Sequence, residues 1–190
     1  HHCGQKALRI AGLREAQIRY IPMDKQFRMN ATALEQIVKE DKKKGLQPFL
    51  IVASAGTTDI GAIDPLDAIA DVAEAHHLWF HVDAAYGGFF VMADVDNKDG
   101  STIKSQFKGV ERSDSLTIDP HKGLFIAYGL GAVLIKNVQA QFDSHYYKAN
   151  YMQDAQVNPE ELSPADLSPE LTKHFRGLRL WMPLQLFGLQ

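Results

Sequence analysis

The sequence predicts an α/β fold in which a mostly parallel sheet is flanked by helices. Two apolar runs, Pro48–Ala55 and Leu78–Asp83, are nearly continuous rather than alternating, which is typical of strands buried on both faces of a parallel sheet. Between them, Asp64-Pro65 supplies an N-cap and a first-turn proline for a helix that extends to about His76. Strand and helix therefore alternate, as parallel sheets require.

The segments before this core also alternate between predicted helix and strand. Apolar residues over Gln5–Leu13 predict a short helix that closes near Gly12, and Gln17–Pro22 alternates as a strand does. Asn30 can cap a further helix that runs to about Lys44.

The elements after the core are two more strands, a loop and a helix. The apolar runs Ser115–Asp119 and Gly131–Lys136 predict the strands. Residues from about Ala149 to Leu167 are polar and predict a long loop. Ser168 can cap the last helix, in which Pro183 predicts a kink.

Length and composition restrict the classes of protein to consider. With 190 residues, of which 45% are hydrophobic, the chain is long enough for one good core but short for a two-domain enzyme. A formal charge of −3 gives no electrostatic footprint for nucleic acid, and no apolar run approaches the roughly 20 residues that span a bilayer. The single cysteine, Cys3, fits a reducing compartment, and no signal-peptide pattern follows His1. We expect an internal fragment of a cytoplasmic protein without membrane or nucleic-acid partners.

A lysine and a carboxylate stand where two predicted strands end. Lys122 follows the strand Ser115–Asp119, and Asp83 closes the strand Leu78–Asp83. A lysine amine can hold the aldehyde of pyridoxal phosphate as a Schiff base, and a carboxylate can keep the pyridine nitrogen protonated, so that the ring acts as an electron sink. Together the two residues predict a pyridoxal-phosphate site.

Each residue alone has a simpler interpretation. Asp83 can cap a turn and Lys122 can be a surface amine, so only their joint occurrence favours the cofactor site. Ligands of open α/β sheets bind beyond the carboxyl ends of strands. Gly-Thr-Thr at 56–58 follows a third strand, so three strand ends could converge on one cleft. We expect no metal site at His77 and His81, because they would meet only on a helix and this segment is predicted as a strand.

The order of four motifs resembles the group II pyridoxal-phosphate-dependent amino-acid decarboxylases. They are Gly-Thr-Thr at 56–58, His-Val-Asp-Ala-Ala-Tyr-Gly-Gly at 81–88, Asp-Pro-His-Lys at 119–122 and Phe-Arg-Gly-Leu-Arg-Leu-Trp at 175–181. The resemblance covers essentially the whole chain and is strongest to the aromatic-amino-acid branch. It implies part of the large, cofactor-binding domain of a type I, aspartate-aminotransferase-like fold over residues 1–176. Residues 177–190 would begin the connection to a C-terminal small domain.

The resemblance also implies roles for individual residues. Lys122 would form the internal aldimine with pyridoxal phosphate, and Asp83 would pair with the pyridinium nitrogen. Ala85 would pack against one face of the ring and His1 would stack on the other. Thr58 would lie near the cofactor hydroxyl and the substrate carboxylate, although capping a helix or turn is its simpler interpretation.

Three further residues complete the implied site. His121 resembles the histidine that helps to hold the phosphate, whereas Asp119 stands where the aromatic branch usually has asparagine. We expect no phosphate contact from Asp119, because a carboxylate is repelled by phosphate unless it points away or meets a cation. Tyr151 resembles the loop tyrosine that could reprotonate Cα, although it could also be an aromatic that only packs.

The resemblance implies decarboxylation of an L-amino acid to the amine and carbon dioxide, through a Lys122 Schiff base and a quinonoid intermediate. An aromatic substrate is slightly preferred, and the intact protein is expected to be a homodimer. A transaminase or an aldehyde synthase remains an alternative, since the bond held perpendicular to the ring decides the reaction. A noncatalytic truncated domain is the alternative of another class.

Overall fold

The computed structural model describes residues 2–97, 100–146 and 162–188, and it has the predicted α/β architecture. Its four strands form one sheet in the order β1-β2-β3-β4. The strands are β1 (Leu50–Ser54), β2 (Trp79–Asp83), β3 (Ser115–Ile118) and β4 (Ala132–Ile135). The α-helices are α1 (Cys3–Ile10), α2 (Ala31–Lys43), α3 (Leu66–His76), α4 (Ile103–Gln106), α5 (Pro120–Gly123), α6 (Val138–His145) and α7 (Leu178–Phe187). Short 3-10 turns cover Gly88–Met92, Val110–Arg112 and Pro164–Leu167.

The sheet is mostly parallel, as predicted. Strands β1, β2 and β3 run in the same direction, with Ser54 beside Asp83 and Asp83 beside Thr117. Strand β4 is antiparallel to β3. The carboxyl ends of the three parallel strands therefore lie at one edge of the sheet.

The core lies on one face of this sheet. Phe80 and Val82 of β2 are fully buried there, together with Leu66 and Ile69 of α3. Helix α2 adds Leu34, which packs into the same cluster. Burial of these apolar side chains stabilises the fold by roughly 1.5–3 kcal/mol for each large one.

The opposite face corrects the expectation that the strands are buried on both sides. Leu50 and Val52 of β1 are 40% and 48% exposed, and Trp79 of β2 is 36% exposed. Burial along β1 and β2 therefore alternates, because the described elements pack their apolar faces against only one side of the sheet. The continuous apolar runs predicted the strands correctly but not their burial.

The predicted cap of α2 is confirmed, whereas that of α3 is wrong. Asn30 Oδ1 accepts a hydrogen bond from the backbone N–H of Ala33 at 3.0 Å. The N-cap of α3 is Pro65, and no side chain caps it. The Asp64 carboxylate instead accepts from the backbone N–H groups of Met29 (2.6 Å) and Ser54 (2.8 Å). Asp64 thus ties the start of α3 to β1 and to the segment before α2.

Two predicted elements differ from the structure. Residues 17–22 form no strand, and the nearest pairing is an isolated bridge between Met23 and Met29. The last helix begins at Leu178 rather than near Ser168. The hydroxyl of Ser168 does not cap a helix there but donates to the carbonyl oxygens of Pro164 at 3.1 Å and Glu170 at 3.4 Å. The predicted polar loop over about 149–167 lies mostly outside the described residues. No helix in the described parts of the chain has the length and apolar character needed to cross a membrane.

Candidate active site

The ends of β1, β2 and β3 are joined by backbone hydrogen bonds that extend the parallel ladder into the loops. The N–H of Ala55 donates to the carbonyl of Asp83 at 2.9 Å, and that of Ala84 donates to Thr117 at 3.0 Å. The loop after β3 continues the series, since the N–H of Asp119 donates to the carbonyl of Ala85 at 3.2 Å. Three of the predicted motifs therefore begin at the same edge of the sheet.

Two glycines allow the loops after β1 and β2 to touch. A Cβ on Gly56 would lie 2.5 Å from Cα of Gly87, a distance that real Cβ atoms do not show. Gly56 also has φ +86°, in the left-handed region that favours glycine. The backbones approach each other as closely as they do because neither residue carries a side chain.

Lys122 lies on the short helix α5, which begins immediately after β3. Pro120 is buried at the first helical position, where its fixed φ suits the start of a helix. Nζ of Lys122 lies 2.6 Å from Oδ2 of Asp119, and the two side chains are 37% and 16% exposed. The amine is therefore held by an ion pair and remains partly accessible to solvent.

The carboxylate of Asp119 thus pairs with a cation. From the sequence, we expected it either to do so or to point away from the phosphate. Its other oxygen, Oδ1, lies against the backbone of Gly131, where an added Cβ would come within 2.8 Å. Sequence reasoning did not predict the ion pair. The available signal was the i,i+3 spacing of opposite charges on one turn of helix.

Asp83 closes β2 and is half-buried. Its Oδ1 accepts from the backbone N–H of Ala85 at 3.2 Å, so the residue does stabilise a turn. Its Oδ2 has no hydrogen-bond partner among the residues that the structure describes. One carboxylate oxygen therefore orients the side chain, and the other makes no hydrogen bond in the described parts of the chain.

His121 is oriented by the loop between α5 and β4. Its Nδ1 contacts the carbonyl oxygen of Leu130, and its ring packs 4.9 Å from the ring of Tyr128. Because a carbonyl only accepts, Nδ1 must carry the hydrogen. The outer nitrogen, Nε2, is then an acceptor in the neutral ring and a donor only in the imidazolium. A phosphate contact through Nε2 requires the charged ring.

The remaining predicted residues have different outcomes. Thr58 is exposed in the turn after β1, and its hydroxyl bonds to no other described residue. The turn is capped instead by Thr57, whose Oγ1 accepts from the N–H of Ala62 at 3.0 Å. His1 and Tyr151 lie outside the described residues.

The histidines near α3 do not form a metal site in the described parts of the chain. His76 ends the helix, His77 follows it with φ 56°, and His81 lies within β2. His81 instead bonds to two hydroxyl groups of β3, at Ser115 and Thr117.

The donor set at the sheet edge fits pyridoxal phosphate. An accessible amine suits its aldehyde, and a carboxylate with one unbonded oxygen suits a protonated ring nitrogen. The two groups follow neighbouring parallel strands, and ligands of open α/β sheets bind at such ends. His121 adds one group with affinity for phosphate once it is charged.

The comparisons with known proteins agree with this chemistry. The family model described as the pyridoxal-dependent decarboxylase conserved domain matches residues 1–190. An aromatic-L-amino-acid decarboxylase of Bacillus atrophaeus is 36% identical over 190 residues, covering 100% of this chain and 38% of the relative. An L-2,4-diaminobutyrate decarboxylase of Acinetobacter baumannii is 32% identical, covering 99% of this chain and 36% of the relative.

A solved structure shows the same fold. The crystal structure of Oryza sativa TDC with PLP and tryptamine has 30% sequence identity and a TM-score of 0.88 to this chain. The match covers 100% of this chain and 38% of the length of the solved structure. The chain thus spans little more than a third of the proteins that it matches. With a family model that covers every residue, the chain belongs to the pyridoxal-dependent decarboxylase family, whose cofactor is pyridoxal phosphate.

Proposed function

We propose that this chain carries the reactive lysine of an amino-acid decarboxylase that converts an L-amino acid to its amine and carbon dioxide. The observation that supports it most is the placement of Asp83 at the carboxyl end of β2 and of Lys122 just beyond the carboxyl end of the neighbouring parallel strand β3. Pyridoxal phosphate, when bound, supplies an electron sink for the bond that breaks at Cα. The protein's own residues must hold the cofactor, orient the substrate and move protons.

Lys122 is proposed to bind the aldehyde of the cofactor covalently and to release it to the substrate amine. To do so, its amine must leave Asp119, which lies 2.6 Å away. Asp83 pairs through its unbonded Oδ2 with the ring nitrogen, while Ala85 donates its N–H to Oδ1 and holds the carboxylate in place. His121 contacts the phosphate through Nε2 as an imidazolium.

Four further parts of the site are proposed from the family resemblance. The small side chain of Ala85 lies against one face of the ring and His1 against the other. The unbonded hydroxyl of Thr58 is available to the cofactor hydroxyl or to the substrate carboxylate. Tyr151 returns a proton to Cα after carbon dioxide has left. Residues 1–176 form part of the large domain, and 177–190 begin the connection to a small domain.

The substrate is proposed to be aromatic, since the relative of higher identity is named for aromatic amino acids. A relative named for 2,4-diaminobutyrate is nearly as similar, so a cationic side chain is the strongest competitor. Oxidative release of an aldehyde and transamination use the same residues and are separated from decarboxylation by their products. We further propose that the complete protein is a cytoplasmic homodimer.

The test is a product assay on the full-length protein with added pyridoxal phosphate. Phenylalanine, tyrosine, tryptophan, 2,4-diaminobutyrate and glutamate are supplied in turn, and carbon dioxide, amine, aldehyde and keto acid are measured. We expect equal amounts of carbon dioxide and amine from an aromatic substrate, and none from Lys122→Ala. Aldehyde with hydrogen peroxide would replace the proposal with the synthase, and a keto acid would replace it with the transaminase. If no product forms from any substrate, the alternative of a noncatalytic domain would replace the proposal.

A further inference from the structure

A row of four side chains links β2 and β3 on the face of the sheet that carries Asp83. Nε1 of Trp79 donates to Oγ of Ser115 at 2.8 Å. The same hydroxyl lies 2.8 Å from Nδ1 of His81, and Nε2 of that ring lies 3.3 Å from Oγ1 of Thr117. Trp79, His81 and Asp83 alternate along β2, so they share one face. The row therefore ends at Thr117, the register partner of Asp83.

The indole gives this row a direction. An indole N–H can only donate, so Oγ of Ser115 accepts from Trp79. Ser115 is only 7% exposed, and Nδ1 of His81 is the acceptor that its hydroxyl hydrogen can reach among the described residues. Oγ has a second lone pair and could accept from an Nδ1–H, but its own buried hydrogen would then have no acceptor. The neutral ring is therefore favoured with no hydrogen on Nδ1 and its hydrogen on Nε2. From there it donates to the hydroxyl oxygen of Thr117.

The same geometry disfavours a charged ring. An imidazolium carries hydrogens on both nitrogens, so Oγ of Ser115 would accept from Trp79 and from Nδ1–H. Its own buried hydrogen would then be left without an acceptor among the described residues. Burial also lowers the pKa of His81, and the negative charge of Asp83 opposes that shift only in part. Asp83 is the one charged group that acts on this ring among the described residues. The facing side chains of β3 are hydroxyls, and Val52, the register partner on β1, is apolar.

The charge of His81 matters because Asp83 lies two residues further along β2, on the same face of the sheet. An imidazolium beside Asp83 would offset the negative charge that the carboxylate presents to a ligand. A free Nε2–H could also turn toward that carboxylate, but Thr117 already accepts it. In the described parts of the chain, the row therefore places no positive charge beside Asp83.

We propose that His81 is a positioning residue, held neutral in its Nε2–H tautomer by Trp79 and Ser115 so that Asp83 stays fully available to the cofactor's ring nitrogen. The proposal rests on the proposed function, because only a protonated ring nitrogen needs that charge. It assigns Trp79 and Ser115 a role in cofactor retention although neither lies at the strand end. From the sequence, we predicted no metal site at His81 and gave this residue no other role.

Trp79→Phe separates this role from simple packing. Phenylalanine keeps a ring on the partly exposed face but removes the indole N–H. Oγ of Ser115 can then accept from Nδ1–H while its own hydrogen turns toward the partly exposed position that the indole N–H has left, so both tautomers and the imidazolium fit. Ser115→Ala is a second variant that removes the same restraint at its centre. His81→Gln is the neutral control, since an amide cannot become charged near neutral pH.

The first measurement is the tautomer and charge of His81 in the cofactor-free, full-length protein labelled with ¹⁵N-histidine, read from long-range proton–nitrogen NMR spectra. His81→Gln assigns the signal. We expect a single neutral Nε2–H ring in the wild type from pH 6 to 8, and a mixture or an imidazolium in Trp79→Phe. A charged or Nδ1–H ring in the wild type would overturn the proposal.

The second measurement is the dissociation constant of pyridoxal phosphate over the same pH range, taken relative to wild type at each pH. We expect the ratio for Trp79→Phe to rise about tenfold as pH falls from 8 to 6, because the imidazolium offsets Asp83. The double variant Trp79→Phe/His81→Gln should lose this pH dependence. A flat ratio for Trp79→Phe, or a dependence that survives in the double variant, would contradict the role of His81. If the wild-type protein bound no cofactor, the proposed function would be overturned. The tautomer of His81 is measured without cofactor, so that result does not depend on the proposed function.

Discussion

Oδ2 of Asp119 lies 2.6 Å from Nζ of Lys122, one turn ahead of it on the helix that follows β3. The pair is partly exposed, so its contribution to folding is small, about 0–1 kcal/mol. Its importance is local, because the amine that is proposed to react with the cofactor is the amine that the carboxylate holds. If Lys122 binds the cofactor as proposed, this contact must break whenever the amine takes up or returns it.

Asp119→Asn should therefore speed the reaction of Lys122 with pyridoxal phosphate. Loss of an ion pair of up to about 1 kcal/mol corresponds to a rate up to about fivefold higher. The rate is measured by stopping the reaction with borohydride at set times and quantifying the labelled peptide. Glu35→Gln, which removes an exposed ion pair with Lys39 on α2, is the matched control and should leave the rate unchanged. A slower reaction in Asp119→Asn would mean that the carboxylate assists Lys122 instead.

Asp83→Asn should weaken the chemistry without unfolding the protein. The asparagine oxygen can still accept the N–H of Ala85, which holds the present side chain at 3.2 Å, but the negative charge is lost. We expect the rate of carbon dioxide release to fall by about 10²–10³, the range seen when an electrostatic group is removed from a site. Circular dichroism checks the fold and a product assay gives the rate. If the Asn variant kept the wild-type rate of turnover, the role proposed for Asp83 would be wrong.

Gly56→Ala tests the close approach of the two loops. Gly45 offers a matched control, since its φ of +78° is close to the +86° of Gly56 but nothing lies within 4 Å of its added Cβ. Gly45→Ala should cost about 1–2 kcal/mol for the left-handed conformation alone. Gly56→Ala should cost a further 1–3 kcal/mol, because its Cβ would overlap the backbone of Gly87. Urea unfolding measures both, and equal losses would show that the loops can separate freely.

Arg112 should make stability depend on acid pH. Its guanidinium bonds to Asp67, Asp71 and Glu74 of α3 at 2.6–2.8 Å. Hydrogen bonds from Lys108 and then Arg112 lower the pKa of Asp67, and the bond from Arg112 lowers the pKa of Glu74. A lowered carboxyl pKa stabilises the fold above the ordinary carboxyl range, and that stability is lost as pH falls below about 4.

Urea unfolding of wild type and Arg112→Gln at pH 7 and pH 3 measures this linkage. The variant should be less stable at pH 7. The difference should shrink at pH 3, because the unfolded chain takes up protons on its carboxyls before the folded wild type does. Arg14→Gln is the control, because Arg14 pairs with no carboxylate in the described parts of the chain. A difference that persists unchanged at pH 3 would point to packing by Arg112 rather than to its charge.

The elements that sequence reasoning found correctly depend on local patterns. The apolar runs at 50–54 and 79–83 are strands because their composition favours an extended, buried chain. Asn30 caps α2 because the interaction lies within four residues. The reactive motifs were located by their position after such strands, which follows from the geometry of parallel sheets.

The failures involve partners that are distant in sequence. Residues 17–22 alternate like a strand, but no strand in the described parts of the chain pairs with them, and pairing is not a local property. Asp64 stands where a cap is expected, yet its carboxylate finds the amides of Met29 and Ser54. The hydrogen bonds of His81 were not predicted, because its hydroxyl partners lie on β3, more than 30 residues further along the chain.

The central claim is that Lys122 is the residue that binds pyridoxal phosphate covalently. The most direct test is to incubate the full-length protein with the cofactor, reduce it with borohydride and map the modified peptide by mass spectrometry. We expect a pyridoxyl group on Lys122, and its loss in Lys122→Ala. A folded protein that carries the label on another lysine, or on none, would contradict the proposed function.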